Sequence, residues 1–460
     1  MTELNIYPDK IENWLKAVIP AVEAGVWKPY HAALMDPPYY LGEIVDRFGG
    51  ENAAPAKPGL DGSFSRLSRG FMGQTWDGFR DVWDYQRWVC EVGLLLRRVL
   101  LPGAIIMSFG GARTWDLLST GLRMAGFEIY PQIALWTYST GSPVQYSIET
   151  AARKQVEKAE QELSKAKKVG NRAEMEKWGA IGAEGKRLLA LYEGYRSDLK
   201  PAFEPILVAR NPSGMTYLER AAIGTSAMNI DACRLASGRY PKNVIFLHHP
   251  ECVPARGVCH RDCHVRKLDE QAPDLSSGGS HGMTDKRTVR VYGRLGASSW
   301  ESYKDTGPAS RFYYCPKADE CEKEAGLDDF PLEQHRTTID KANREMHGND
   351  SGHPRRNPHP TIKSTELTTW LAELLLPPQG IVDERRLIVP CAGVGSEMIG
   401  AHLAGWDVVD GVEMSKEYAA IAEARLRWWS QFSSIEQAKS AYDGARKDAK
   451  READGQLRMF

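Results

Sequence analysis

The stretch from Arg386 to Glu413 constrains the chain more than any other. A short apolar run, Arg386 to Val389, leads into the turn Pro390-Cys391-Ala392-Gly393-Val394-Gly395; a helical stretch ending near Gly405 and a second apolar run, Val408 to Glu413, follow. Strand, glycine turn, helix and strand in that order form a βαβ unit of Rossmann type, which demands a parallel sheet with helices on its faces. The glycines let a ligand approach the backbone. Glu413, about 20 residues beyond Gly393 and at the end of the next strand, can accept both hydroxyls of a ribose. The expected ligand carries an adenosine, and the spacing suits a dinucleotide as well. A tight βα turn without a ligand is the plainer alternative for one Gly-x-Gly.

The amino-terminal part repeats the alternation. His31 to Met35 is an apolar run cut off by Asp36-Pro37-Pro38-Tyr39-Tyr40. Two prolines cannot continue a strand, so Asp36 is expected at a strand end. An aromatic helical stretch, Trp83 to Leu101, precedes a buried strand, Ala104 to Phe109. Ile129 to Tyr138 and Glu204 to Arg210 read as two further strands, expected to pair as a hairpin whose connection holds the charged, largely solvated helices of Ile148 to Tyr195. Leu367, Trp370, Leu371, Leu374 and Leu375 follow helical spacing up to Pro377-Pro378, and the residues after Phe432 read as a surface helix or a mobile tail.

Asp36-Pro37-Pro38-Tyr39 has a definite chemistry. An exposed carboxylate beside a stiff backbone offers two fixed acceptors, the Asp36 side chain and the Pro37 carbonyl, next to an aromatic face. An exocyclic amine of a nucleobase can give one hydrogen to each while its ring stacks on Tyr39, which aims the nitrogen lone pair at an electrophile. A proline-stiffened turn with a capping Asp is the bland alternative.

These motifs together resemble the beta-class amino DNA methyltransferases, in particular bacteriophage and prophage members, whose catalytic half precedes the cofactor half. The likeness also rests on Phe109-Gly110-Gly111-Ala112-Arg113-Thr114-Trp115, Leu199 to Ile206, Ala227 to Cys233 and His359-Pro360-Thr361-Ile362-Lys363, and covers roughly residues 30 to 140 and 199 to 430. The resemblance implies a permuted methyltransferase fold, a seven-stranded mixed sheet flanked by helices, with S-adenosylmethionine as cofactor. It assigns Asp36, Pro37, Pro38 and Tyr39 to catalysis, and Pro390, Cys391, Gly393, Gly395, Glu413, Thr361 and Lys363 to the cofactor. Where the family carries Asp-Pro-Phe before the glycines, this chain has Val389-Pro390-Cys391.

The region from Asn211 to Arg356 is rich in Gly, Ser, Pro, His and Cys and is expected to be irregular. The chain's eight cysteines are too sparse for a disulfide scaffold, yet Cys252, Cys259, Cys263, Cys315 and Cys321 cluster here. His249-x2-Cys252-x6-Cys259-x3-Cys263 offers an imidazole and three thiolates to a structural zinc ion, with Cys315 or Cys321 as alternative ligands and unliganded cysteines as the plain alternative. Arg256, Arg261, Arg266, Lys267, Lys286, Arg287, Arg290 and Arg294, interleaved with Tyr292, Trp300 and Tyr303, form a basic run that could follow a phosphate backbone. Such a run matters because the whole chain, with 59 basic and 60 acidic residues, is no general nucleic-acid coat.

The expected organisation is a catalytic half at 1–147, a helical insertion at 148–198, a return strand at 199–210, a target-recognition region at 211–356, a cofactor-binding half at 357–430 and a charged tail at 431–460. The expected function is site-specific methylation of double-stranded DNA at adenine N6, of the restriction-modification kind, on a base flipped out of the duplex. Cytosine N4 is the alternative, and a non-catalytic DNA-binding relative a further one. Met1 to Lys10 is polar, and no apolar run reaches the length of a signal peptide or membrane span. The expected location is therefore the cytoplasm, that of the host for a phage-encoded chain, as a monomer or homodimer without a membrane partner.

Overall fold

A computed structural model describes residues 2–40, 79–131, 133–138, 147–195, 199, 202–249, 251–254, 257–272, 274–277, 281–283, 299–301, 305–316, 320–332, 356–359 and 362–457. Its strands are β1 (Glu3–Tyr7), β2 (Tyr30–Met35), β3 (Leu100–Phe109), β4 (Glu128–Ile129), β5 (Ala134–Thr137), β6 (Phe203–Arg210), β7 (Val244–Phe246), β8 (Leu275–Ser277), β9 (His281–Met283), β10 (Ser299–Glu301), β11 (Asp305–Gly307), β12 (Arg386–Pro390) and β13 (Val408–Val412). Met1–Ser139 and Glu204–Phe460 form one compact unit, Thr140–Phe203 a second.

The larger unit is a mixed α/β structure around a sheet ordered β1-β13-β12-β2-β3-β6-β5-β7, with β4 beside β6. β1, β13, β12, β2 and β3 run parallel, and β6 lies antiparallel to β3. The βαβ unit read from the sequence is present as β12, helix Ser396–Ala404 and β13. Among the described residues the sheet has nine strands, two more than the resemblance implies. Pro131, which has no N–H to give a ladder, interrupts the expected strand Ile129 to Tyr138, leaving two-residue β4 and separate β5. β7 arises within the region expected to be irregular and pairs with β5.

Alternation along the central strands fills both faces, as a buried parallel sheet requires. Ala32, Leu34, Ile105, Met107, Leu387 and Val389 join a core with helix Thr365–Leu375 and helix Ser396–Ala404. Ala33, Met35, Ala104, Ile106 and Ile388 face the other way, onto helices Ile11–Glu23, Val82–Val99 and Trp115–Met124. A fully buried carboxylate, Asp410, ties four strands: it accepts from Tyr30 Oη at 2.6 Å, Arg386 Nη2 at 2.8 Å and Asn5 Nδ2 at 3.0 Å.

The smaller unit contains two helices, Ile148–Val169 and Arg172–Leu191, capped by the side chains of Ser147 and Asn171 and turned by Gly170 at φ +71°. Their seam is built from small residues. Ala152, Val156, Ala159 and Ala166 are buried, and a Cβ on Gly185 would come within 2.7 Å of Val156. These helices bury this narrow stripe and are otherwise largely exposed.

Candidate active site

Parallel strands deliver their carboxyl ends to one edge of the sheet, and the strand order reverses between β12 and β2, which is where α/β sheets hold ligands. Asp36 follows β2, the glycine turn follows β12, Glu413 follows β13, and Asp9 to Glu12 follow β1. Because β6 is antiparallel to β3, its first residues reach the same edge: Ile206 pairs with Phe109, and Glu204 lies just beyond.

Asp36 is enclosed in a four-residue polar group. The Lys363 ammonium lies 2.9 Å from Asp36 Oδ2, 3.2 Å from Glu204 Oε2 and 3.1 Å from Tyr39 Oη, so its three hydrogens meet three oxygens. Tyr39 Oη donates to Asp36 Oδ1 at 2.7 Å, with Glu204 Oε2 at 3.0 Å. Burial alone would lower the Lys363 pKa, but the charges of Asp36 and Glu204 outweigh it and raise it above the ordinary range. The same ammonium sits over three rings, Phe109 at 4.9 Å, Tyr39 at 5.3 Å and Trp136 at 5.7 Å, a cation–π cage. Thr114 fixes the motif from the side by donating to the Tyr39 carbonyl at 2.6 Å.

The glycine turn is shaped by left-handed residues at Cys391 (φ +57°), Gly393 (φ +53°) and Gly395 (φ +82°). A side chain at Gly393 would press on His359, its Cβ 3.3 Å from Nε2. Glu413 braces the turn: Oε2 accepts from Gly393 N at 2.9 Å and Oε1 from Ser415 N at 2.7 Å. Burial pushes its carboxyl up to about 7, against backbone hydrogen bonds that pull it down. Fully buried Arg425 reaches across to the carbonyls of Val394 and Glu322. Desolvation lifts the Cys391 thiol well above its usual range, so it behaves as a small hydrophobe rather than a nucleophile.

One cavity of about 240 Å³ runs along this edge, lined by Asp36 and Pro38 at one end, by Cys391, Gly393 and His359 in the middle and by Glu413, Met414 and Tyr418 at the other. A smaller recess beside it is shared by Asp36, Lys363, Gly393 and Glu397. Glu397, in the first turn of helix Ser396–Ala404, is 3% exposed, and its Oε1 has no hydrogen-bond partner among the described residues. Burial, then the charge on Asp36, raises its pKa to about 7.

Asp36, Pro38, Cys391, Gly393 and Glu413 thus line one cavity. Tyr39 and Lys363 lie at its Asp36 end, while Gly395 caps the helix behind the turn. Lys363 faces the carboxylates of Asp36 and Glu204 rather than the Glu413 end. Thr361 lies outside the described residues, as do Arg256, Lys286, Arg287, Arg290, Tyr292, Arg294 and Tyr303 of the basic run. Glu204 and Glu397 join the site without a motif that marks them in the sequence. The only local signal for Glu204 is an acid opening an otherwise apolar strand, and for Glu397 an acid directly after Gly-x-Gly-Ser.

Away from this edge, the sequence placed His249 with Cys252, Cys259 and Cys263, but the residue that joins the thiols is His248. The chain leaves β7 extended, so Phe246 and His248 share one face while Leu247 and His249 take the other. Phe246 packs on the cysteine cluster and Leu247 on the main core. His249 instead stacks on His260, with ring centroids 4.0 Å apart. Cys315 touches the cysteine cluster without joining the four-residue group, and Cys321 is buried in the main core.

Among the described residues no helix is long and apolar enough to cross a membrane. No protein-family model matches the chain, and neither does any curated protein sequence. Solved structures do match. The chain is similar to M1.HpyAVI in its complex with SAM, at 11% identity over 92% of this chain and 100% of that one, with a TM-score of 0.34. It is likewise similar to the PvuII DNA methyltransferase (cytosine-N4-specific), at 10% identity over 96% of this chain and 92% of that one, with a TM-score of 0.40.

Proposed function

We propose that the chain is an S-adenosylmethionine-dependent DNA methyltransferase acting on the exocyclic amine of a flipped base, with adenine N6 as the target. The observation that carries the reading is a cavity that joins an acid-braced glycine turn to Asp36 and Pro38 of the Asp36-Pro37-Pro38-Tyr39 motif. Glu413 and the glycine turn suit the ribose end of the cofactor. The buried oxygen of Glu397, without a partner among the described residues, is what an ammonium such as that of the methionine end requires, and it offers a carboxylate near a turn where the family's usual acid is replaced by Val389. S-adenosylmethionine, when bound, supplies an electrophilic methyl group.

The protein's part is positioning and electrostatics. Asp36 and the Pro37 carbonyl accept the two amine hydrogens and aim the lone pair along the cavity, and Tyr39 covers the base. As the amine gains positive charge, the carboxylates of Asp36 and Glu204 stabilise it, and the proton it sheds leaves by way of Asp36. Lys363, caged by aromatic rings and paired with both carboxylates, holds Asp36 and Glu204 in place, and an entering amine shares the Asp36 carboxylate with it. A base buried in a duplex cannot reach this motif and must first be extruded.

Tritium transfer to DNA from labelled S-adenosylmethionine, with mass analysis of the released nucleosides, tests the reading. Asp36→Ala should lower transfer by at least about 100-fold while cofactor affinity stays within a few-fold. N6-methyladenine is the expected product, and N4-methylcytosine would shift the target, because both amines fit the same acceptors. A chain that binds S-adenosylmethionine and DNA but transfers nothing is the non-catalytic relative.

A further inference from the structure

Among the described residues, the segment following β7 has little apolar interior of its own. Its buried cluster is Cys252, Cys263 and Val265, with Phe246, Cys259 and Cys315 against it. The thiols do more than fill space. The sulfurs of Cys252, Cys259 and Cys263 and a ring nitrogen of His248 lie within 4.8 Å of one another. His248 Nδ1 is 3.6 Å from Cys259 Sγ and 3.6 Å from Cys263 Sγ. A tetrahedral zinc ion, with Zn–S near ~2.3 Å and Zn–N near ~2.0–2.1 Å, sets nitrogen and sulfur ligands about 3.6 Å apart.

The backbone is arranged around the same point. Val253 and Val258 pair through both of their backbone hydrogen bonds, which brings the flanking Cys252 and Cys259 side by side. The His260 amide lies 3.2 Å from Cys252 Sγ, and the amides of His249, Val265 and Arg266 hydrogen-bond Cys263. Amide N–H groups converging on sulfur are the outer contacts that orient thiol ligands toward a common point. Three soft ligands and one imidazole select zinc over hard cations such as magnesium or calcium, and a closed set of four protein ligands marks a structural site.

We propose that this chain holds one structural zinc ion on His248, Cys252, Cys259 and Cys263, pinning the loop and helix His264–Gln271 to the last strand of the sheet. His249, Glu251 and His260 also approach one another, but Glu251 is exposed and the set has no thiol. The zinc stands apart from the methyltransferase reading and survives its failure, since metal content is measured without cofactor or DNA.

The full chain, purified with neither added metal nor chelator, should contain one equivalent of zinc by mass spectrometry. Cobalt exchange should give thiolate-to-cobalt charge-transfer bands and the intense visible bands of a tetrahedral site. His248→Ala and Cys263→Ser should lose the metal, and His249→Ala should keep it. If the first two variants fail to fold, mercurial titration of the wild-type chain must release zinc in step with modification of the cluster thiols. Folded wild-type chain that holds no zinc and takes up no cobalt overturns the proposal, and so does metal lost by His249→Ala but kept by His248→Ala.

Discussion

Glu413 holds its own turn together before it can hold a ligand, and that gives it a pH signature. Its carboxyl is raised from the ordinary 4.5 to about 7 by burial, so near pH 6 most of the free protein carries it protonated. Accepting ribose hydroxyls calls for the ionised form, so binding must then expel a proton. Cofactor affinity should be flat above about pH 7 and fall roughly tenfold per unit below it for one such group. Calorimetric titration from pH 8 to pH 5.5 measures this. Glu397 is raised into the same range, and the variants Glu413→Gln and Glu397→Gln divide the slope between them. A flat wild-type profile would detach Glu413 from the ribose. Asp36 and Glu413 stand out in the sequence because proline and glycine patterns mark them locally. Glu204 does not, since only the antiparallel entry of β6 beside β3 carries it to Lys363, and nothing near position 204 encodes that pairing. His248 and His249 differ by a single step of strand alternation, legible only once β7 is known to be a strand.

Elements with a long apolar signal were readable and short edge elements were not. β2, β3, β12 and β13 are largely apolar runs with Pro or Gly within or close beside them, and helix Thr365–Leu375 keeps its spacing to the end. β1, with the sequence ELNIY, is partly exposed along its length, and β7 is three residues long, so neither rises above a polar background. The helix pair Ile148–Val169 and Arg172–Leu191 was visible by composition, yet its seam of Ala and Gly was hidden by the surrounding charges. That pair forms its own compact unit, while Asp36, Glu204, Lys363, Glu397 and Glu413 all belong to the other. Replacing residues 149–195 by a short Gly/Ser linker should therefore leave S-adenosylmethionine affinity within about twofold. Equilibrium dialysis of the shortened chain checks it, and a loss beyond tenfold would mean that the insertion shapes the cavity.

At the scale of the whole molecule the cavity depends on strands far apart in the chain. Tyr7, at the end of β1, accepts the Glu413 amide at 3.0 Å, and Asp9 to Glu12 line the cavity just beyond. Leu4 and Ile6 hold β1 down by packing on the main core. Changing both to Asp should release the strand and weaken cofactor binding by more than about tenfold, the cost of losing roughly one hydrogen bond and its order. Fluorescence titration of the double variant, with circular dichroism to confirm the remaining sheet, is the measurement. Unchanged affinity would make β1 a bystander. The pairing of β1 with β13 also bears on how the protein is made. Asn5 meets Asp410 across 405 positions of chain, and closing so long a loop costs only about 5 kcal/mol of entropy, since the cost grows with the logarithm of length. Its penalty is one of timing: a ribosome delivers β1 long before β13, which is its one neighbour in the sheet among the described residues. A chain released early would carry Asp36 but neither the glycine turn nor Glu413, so on the proposed function an unfinished translation product would lack the residues that hold the cofactor.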